Sequence, residues 1–157
     1  MKRSIQAITV LALSFFMISC IRDVAPKPTV DLSTDVIVKD KSGNNLLSST
    51  QVNGYKFEDI HLYNIKADGT RGELVNTSGK YFEMVKDQSG QSILRINPFL
   101  GSNSKSVVTA IRWRANDEDV LELGVSSDSQ PAHTMCNGKH VTQSTNPSAR
   151  RVVEIIK

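Results

Sequence analysis

The sequence predicts an all-β domain, an antiparallel β-sandwich, standing behind a removable leader and a short tether. Three observations carry that expectation. The chain of 157 residues falls into short apolar or alternating runs with no sustained helical period. Those runs are separated by Asp-Gly, Asn-Gly and Asp-x-Ser-Gly, the residues that tight turns require. About nine or ten runs recur at roughly 10–15 residue spacing, which suits two packed sheets rather than alternating strands and helices. Hydrophobic residues are 39% and charged residues 22%, a globular balance and not a disordered one.

Residues 1–19 read as the leader. Lys2 and Arg3 give a basic start, and a mostly apolar stretch runs from Ala7 to Ile18, interrupted by Thr9 and Ser14. At about a dozen residues it falls short of the ~20 that a membrane span needs, and it matches the core of a signal peptide. It ends in Met17-Ile18-Ser19-Cys20, which resembles the lipobox of bacterial lipoproteins. The resemblance implies that Cys20 is lipidated and becomes the mature N-terminus. Each buried methylene contributes ~0.8 kcal/mol, so two or three acyl chains anchor stably where one is marginal. The competing reading is an ordinary secretory leader with a Cys20–Cys136 disulfide, since the chain has two cysteines. Without Lys2 and Arg3, 17 basic residues face 16 acidic ones, a net charge of +1. That balance gives nucleic acid no support as a partner.

Residues 20–34 form the tether, where Pro26 and Pro28 favour an extended backbone. The domain spans 35–157. Asp35–Lys39 is the first strand. Asp59–Lys66 and Gly72–Asn76 flank Ala67-Asp68-Gly69-Thr70, a strong hairpin signal. Lys80–Lys86 and Gln91–Asn97 flank Asp87-Gln88-Ser89-Gly90, and Ser106–Ala115 and Asp119–Ser126 flank Asn116-Asp117-Glu118. Ala132–Cys136 and Lys139–Gln143 flank Asn137-Gly138, and Ala149–Ile156 completes the set.

A three-residue loop at 116–118 pairs Trp113 with Leu121, Ile111 with Leu123 and Arg112 with Glu122, placing the apolar pairs on one face. A two-residue loop sets Trp113 opposite a polar position and is disfavoured. Trp113 is therefore expected at the core centre. Val38-Lys39-Asp40-Lys41-Ser42-Gly43 and Val85-Lys86-Asp87-Gln88-Ser89-Gly90 share one pattern. It suits a type I turn leading to a glycine bulge, and it lacks the several carboxylates of a calcium loop.

Chemistry-bearing residues are few. His61 alternates beside Tyr63 and reads as a partly exposed strand residue. His133, Cys136 and His140 have a spacing that invites zinc or copper. A turn at Asn137-Gly138 pairs Cys136 with Lys139 and Met135 with His140. His133, Met135 and His140 then share one face and Cys136 lies on the other, so His133, Cys136 and His140 cannot all reach one ion. A copper set of His133, Met135 and His140 survives as the alternative metal reading. Cys136 reads as a buried, inert thiol, although Lys139 on its face offers to lower its pKa. Asp117, Glu118 and Asp119 read as a solvated turn cluster. No catalytic residue and no cofactor is expected.

The lipobox, the proline-containing tether and the opening Asp35-Val36-Ile37-Val38-Lys39-Asp40-Lys41-Ser42-Gly43-Asn44-Asn45-Leu46-Leu47 together resemble the small β-sandwich lipoproteins of Bacteroidetes. The resemblance implies an immunoglobulin-like domain on a cell-envelope membrane. Ile21-Arg22-Asp23-Val24 lacks the acidic run that marks surface export in that group, which points to an outer membrane and its periplasmic face. The expected function is a non-enzymatic binding or assembly module. Its partners are the bilayer, through acylated Cys20, and another envelope protein or a glycan. The alternative is a metal-handling or hydrolytic envelope protein using the His133–His140 hairpin.

Overall fold

A computed structural model describes residues 31–76, 79–98, 100, 104–126, 131–141 and 150–157. Ten strands occur in them: β1 (Thr34–Lys39), β2 (His61–Ile65), β3 (Arg71–Glu73), β4 (Phe82–Lys86), β5 (Ser92–Ile96), β6 (Ser106–Arg114), β7 (Asp117–Val125), β8 (Pro131–Cys136), β9 (Lys139–His140) and β10 (Arg151–Ile156). The helical element lying wholly within the described residues is the 3-10 turn Phe57–Asp59. The strands build a β-sandwich of two packed sheets, ordered β10-β1-β5-β4 and β3-β2-β6-β7-β8-β9. Each neighbouring pair is antiparallel except β1 and β10, which run parallel from Thr34 opposite Arg151 to Lys39 opposite Ile156.

The turns follow from their residues. Asp40 Oδ1 accepts the amides of Ser42 and Asn44, and Asp87 Oδ1 accepts those of Ser89 and Gln91. The glycines three residues on, Gly43 (φ 85°) and Gly90 (φ 81°), take the left-handed conformation that a bulge after a type I turn requires. Both copies of the repeated pattern are therefore the same turn, with one oxygen of each aspartate accepting two backbone amides.

The β6–β7 register departs from expectation. Ile111 pairs with Asp119, Thr109 with Leu121, Arg112 with Glu118 and Arg114 with Asp117, and a bulge falls at Trp113. The turn is the two-residue Ala115-Asn116, with Asn116 at φ 63°. The physical reason is the indole. A buried Trp needs an acceptor for its N–H, and the polar residue the shorter turn brings close, Asp119, supplies one at 2.6 Å from Nε1 to Oδ2.

Trp113 is fully buried in the main core with Val36, Val38, Leu62, Leu94, Ile96, Ile111, Leu121 and Val153. A smaller cluster of Leu32, Val107 and Leu123 fills the opposite end. Along β10, Arg151, Val153 and Ile155 face inward, and Val152, Glu154 and Ile156 face out.

Candidate functional site

The hairpin β8–β9 has the expected register, with Met135 opposite His140 and Cys136 opposite Lys139. Asn137 (φ 50°) and Gly138 (φ 74°) form its turn. His133 and His140 lie edge to face with ring centroids 6.4 Å apart. His133 Nε2 stands 3.5 Å from Glu122 Oε1. The imidazole of His133 lies against Gly124, directly across the β7–β8 ladder, where any Cβ would overlap the ring. Among the described residues, no three His, Cys, Asp or Glu side chains converge on a site that would hold a metal ion. Cys136 faces the core, half-buried and unpaired. Burial pushes its thiol up and Asp119 adds to the push, outweighing the opposite pull of Lys157. Cys20 lies outside the described residues. His61 is partly exposed and meets Glu73 Oε1 at 2.7 Å.

The sequence-level reading of the acidic turn needs correction. Glu118 is on the surface, held by a bidentate bond from Arg71 at 2.7 and 2.9 Å. Asp119 is 3% exposed. Its Oδ2 accepts from Trp113 and from Lys157 Nζ, each at 2.6 Å, and its Oδ1 accepts from Asn137 Nδ2 at 2.7 Å. Asp117 accepts from Lys157 at 2.6 Å and from the Tyr55 hydroxyl at 2.6 Å. Tyr55 stacks on Trp113 with centroids 5.3 Å apart, and the Arg114 guanidinium lies over the Tyr55 ring. Asp119 is thus withdrawn from solvent and Asp117 partly so, because the two-residue turn brings the start of β7 to the indole. Sequence offered one unused signal for them, the N–H of a core tryptophan.

The same residues join both sheets. Lys157 follows β10 in one sheet, and Asp117 and Asp119 belong to β7 in the other. Burial disfavours the Lys157 charge, but the bonds it donates to the two carboxylates outweigh that and raise its pKa. With all four carboxylate oxygens of Asp117 and Asp119 bonded, this network braces the fold.

The sheet edges differ in kind. β3 has three residues and β9 two, the short edges that resist further pairing. β10 has six residues, and no strand among the described residues pairs with its outer side. Its outward Val152 and Ile156 are 47% and 56% exposed. No protein-family model, curated protein or solved structure matches the chain.

Proposed function

We propose that the protein is a lipid-anchored cell-envelope lipoprotein that binds an extended segment of another envelope protein, without catalysis or a cofactor. The observation that carries the reading is the β10 edge. A long edge with outward apolar residues is a template for strand addition, where backbone bonds give affinity and alternate side chains give selectivity. Glu154 is neutralised by Lys39 Nζ at 2.6 Å, which removes its repulsive effect on an incoming strand. A glycan held by the loops is the competing ligand. Two antiparallel-dominated sheets with connections crossing between them support the immunoglobulin-like reading of the sandwich. The leader and Ser19-Cys20 support a signal peptide with acylation at Cys20, and Ile21-Arg22-Asp23-Val24, which lacks an acidic run, supports the periplasmic face of the outer membrane, with the cell surface as the other location.

Two measurements test this. Cell fractionation of Cys20→Ala is expected to move the protein out of the membrane fraction, and retention as tight as wild type defeats the anchor. A photo-cross-linking residue placed at Ile156 is expected to capture a defined envelope protein in cells, while one placed at Glu73 captures none. Equal capture from both positions defeats the edge. The paired rings of His133 and His140 beside Met135 favour metal handling as the second reading. Calorimetry with zinc or copper is expected to show only the weak binding of a surface histidine pair. Sub-micromolar affinity, lost in His133→Ala/His140→Ala, would move the function to metal handling.

A further inference from the structure

The turn Asn137-Gly138 joins a thermolabile amide to a following nitrogen that no side chain shields. In the folded chain both ends of that amide are held. Asn137 Oδ1 accepts from the Val120 amide at 2.8 Å, and Nδ2 donates to Asp119 Oδ1 at 2.7 Å. The Asn137 backbone amide donates to the Val120 carbonyl, also at 2.8 Å. A second Asn-Gly pair, Asn53-Gly54, lies in a loop. The Asn53 side chain is exposed and makes no hydrogen bond among the described residues.

We infer that Asn137 is a spontaneous deamidation site that unfolding opens and whose products the fold rejects. The inference does not rest on the β10 reading. In an unfolded chain the Gly138 nitrogen attacks Asn137 Cγ and closes a succinimide ring. The side-chain nitrogen leaves as ammonia and takes the Gly138 amide proton with it. Water then opens the ring and restores that N–H. Breaking the bond to Cγ gives aspartate, and breaking the bond to the backbone carbonyl carbon gives isoaspartate. No other reactant is needed. In the folded chain Cγ reaches the Gly138 nitrogen only after the bonds to Val120 and Asp119 break, so cyclisation waits on local opening.

Each product conflicts with a different part of the fold. Aspartate still accepts from the Val120 amide, but it has no donor for Asp119 and brings a carboxylate against it. Asp119 is 3% exposed and is held by Trp113 and Lys157, so it does not turn away. The nearby cations are already shared. Lys157 serves Asp117 and Asp119 at 2.6 Å each, and Arg114 stands 3.6 Å from Asp117. Lys139, beyond the turn, is exposed. Isoaspartate instead adds one methylene to the backbone of a two-residue turn. That turn sets Cys136 opposite Lys139 and Met135 opposite His140. A chain that lingers unfolded is thus withdrawn by a covalent change, while one that folds promptly is protected from it.

The test holds the purified full chain in mildly alkaline guanidinium chloride and, in parallel, folded in the same buffer without denaturant. Peptide mass mapping is expected to show acid replacing amide at Asn137 in denaturant, and roughly tenfold or more slowly in the fold. On dilution, refolding yield is expected to fall in step with modification at Asn137. Asn53→Ser leaves that decline unchanged. Gly138→Ala, whose methyl crowds the attacking nitrogen, slows it. Asn137→Asp, made directly, tolerates the same turn conformation and is expected to melt roughly 5–10 °C below wild type at neutral pH. The gap narrows in mild acid, where the protonated carboxyl donates to Asp119 as the amide does. If Asn137→Asp does not fold at neutral pH, recovery in mild acid supports the inference and failure at both overturns it. Equal modification rates in the fold and in denaturant overturn it. So do modified chains that refold as fully as unmodified ones, an Asn137→Asp Tm equal to wild type, or a gap that ignores pH.

Discussion

Trp113 is fixed twice, by stacking on Tyr55 and by donating its N–H to buried Asp119. Trp113→Ala removes both and is expected to cost about 3–5 kcal/mol in equilibrium denaturant unfolding. Trp113→Phe keeps most of the ring and strips Asp119 of one donor, for a loss of about 1–3 kcal/mol. A Phe variant as stable as wild type would show that the indole bond is idle. The burial of Trp113 was legible because one tryptophan stands in an alternating apolar run. The burial of Asp119 and Arg151 was not, because residue type alone sends both to the surface. What places them is the register of neighbouring strands, and that register depended on the very bond that one of them makes.

Between elements, Lys157 bolts the end of β10 to the start of β7, and the bolt is electrostatic. For Asp117 burial favours the neutral form, yet bonds from Lys157 and Tyr55 prevail and hold its carboxyl below the ordinary 3.8. A lowered acid stabilises the fold above pH 3.8, and the contribution is lost as pH falls through the lower folded value. Lys157 is raised above 10.5, so its contribution is complete below pH 10.5 and is lost as pH rises through the folded value. Tyr55, raised by burial and then by Asp117, also favours the fold less once pH passes its ordinary 10.0. Stability measured against pH is expected to fall at both limits. Asp117→Asn should flatten the acid limb and Lys157→Met the alkaline limb, and unchanged limbs would refute the bolt. The turns beside these elements were legible to the residue, because Asp-x-Ser-Gly and Asn-Gly dictate backbone conformation locally. The β6–β7 turn was misread because Asn116 supplies its positive φ without a glycine to announce it.

At the scale of the molecule, two sheets were legible from strand spacing, whereas strand order was not, since pairing partners are chosen by packing over long separations. The parallel pair β1–β10 is the clearest case: Thr34 meets Arg151 across 151 − 34 = 117 positions. Until β10 arrives, β1 has a partner on one side only, with Val36, Ile37 and Val38 on an open edge. Contacts this distant make folding slow, and refolding is expected in milliseconds to seconds rather than microseconds. A chain shortened before Arg151 should remain unfolded or aggregate through that edge. The pairing thus works as a timer. A polypeptide that appears N-terminus first stays pliable while β1 waits for its second neighbour, and it locks only once β10 is available.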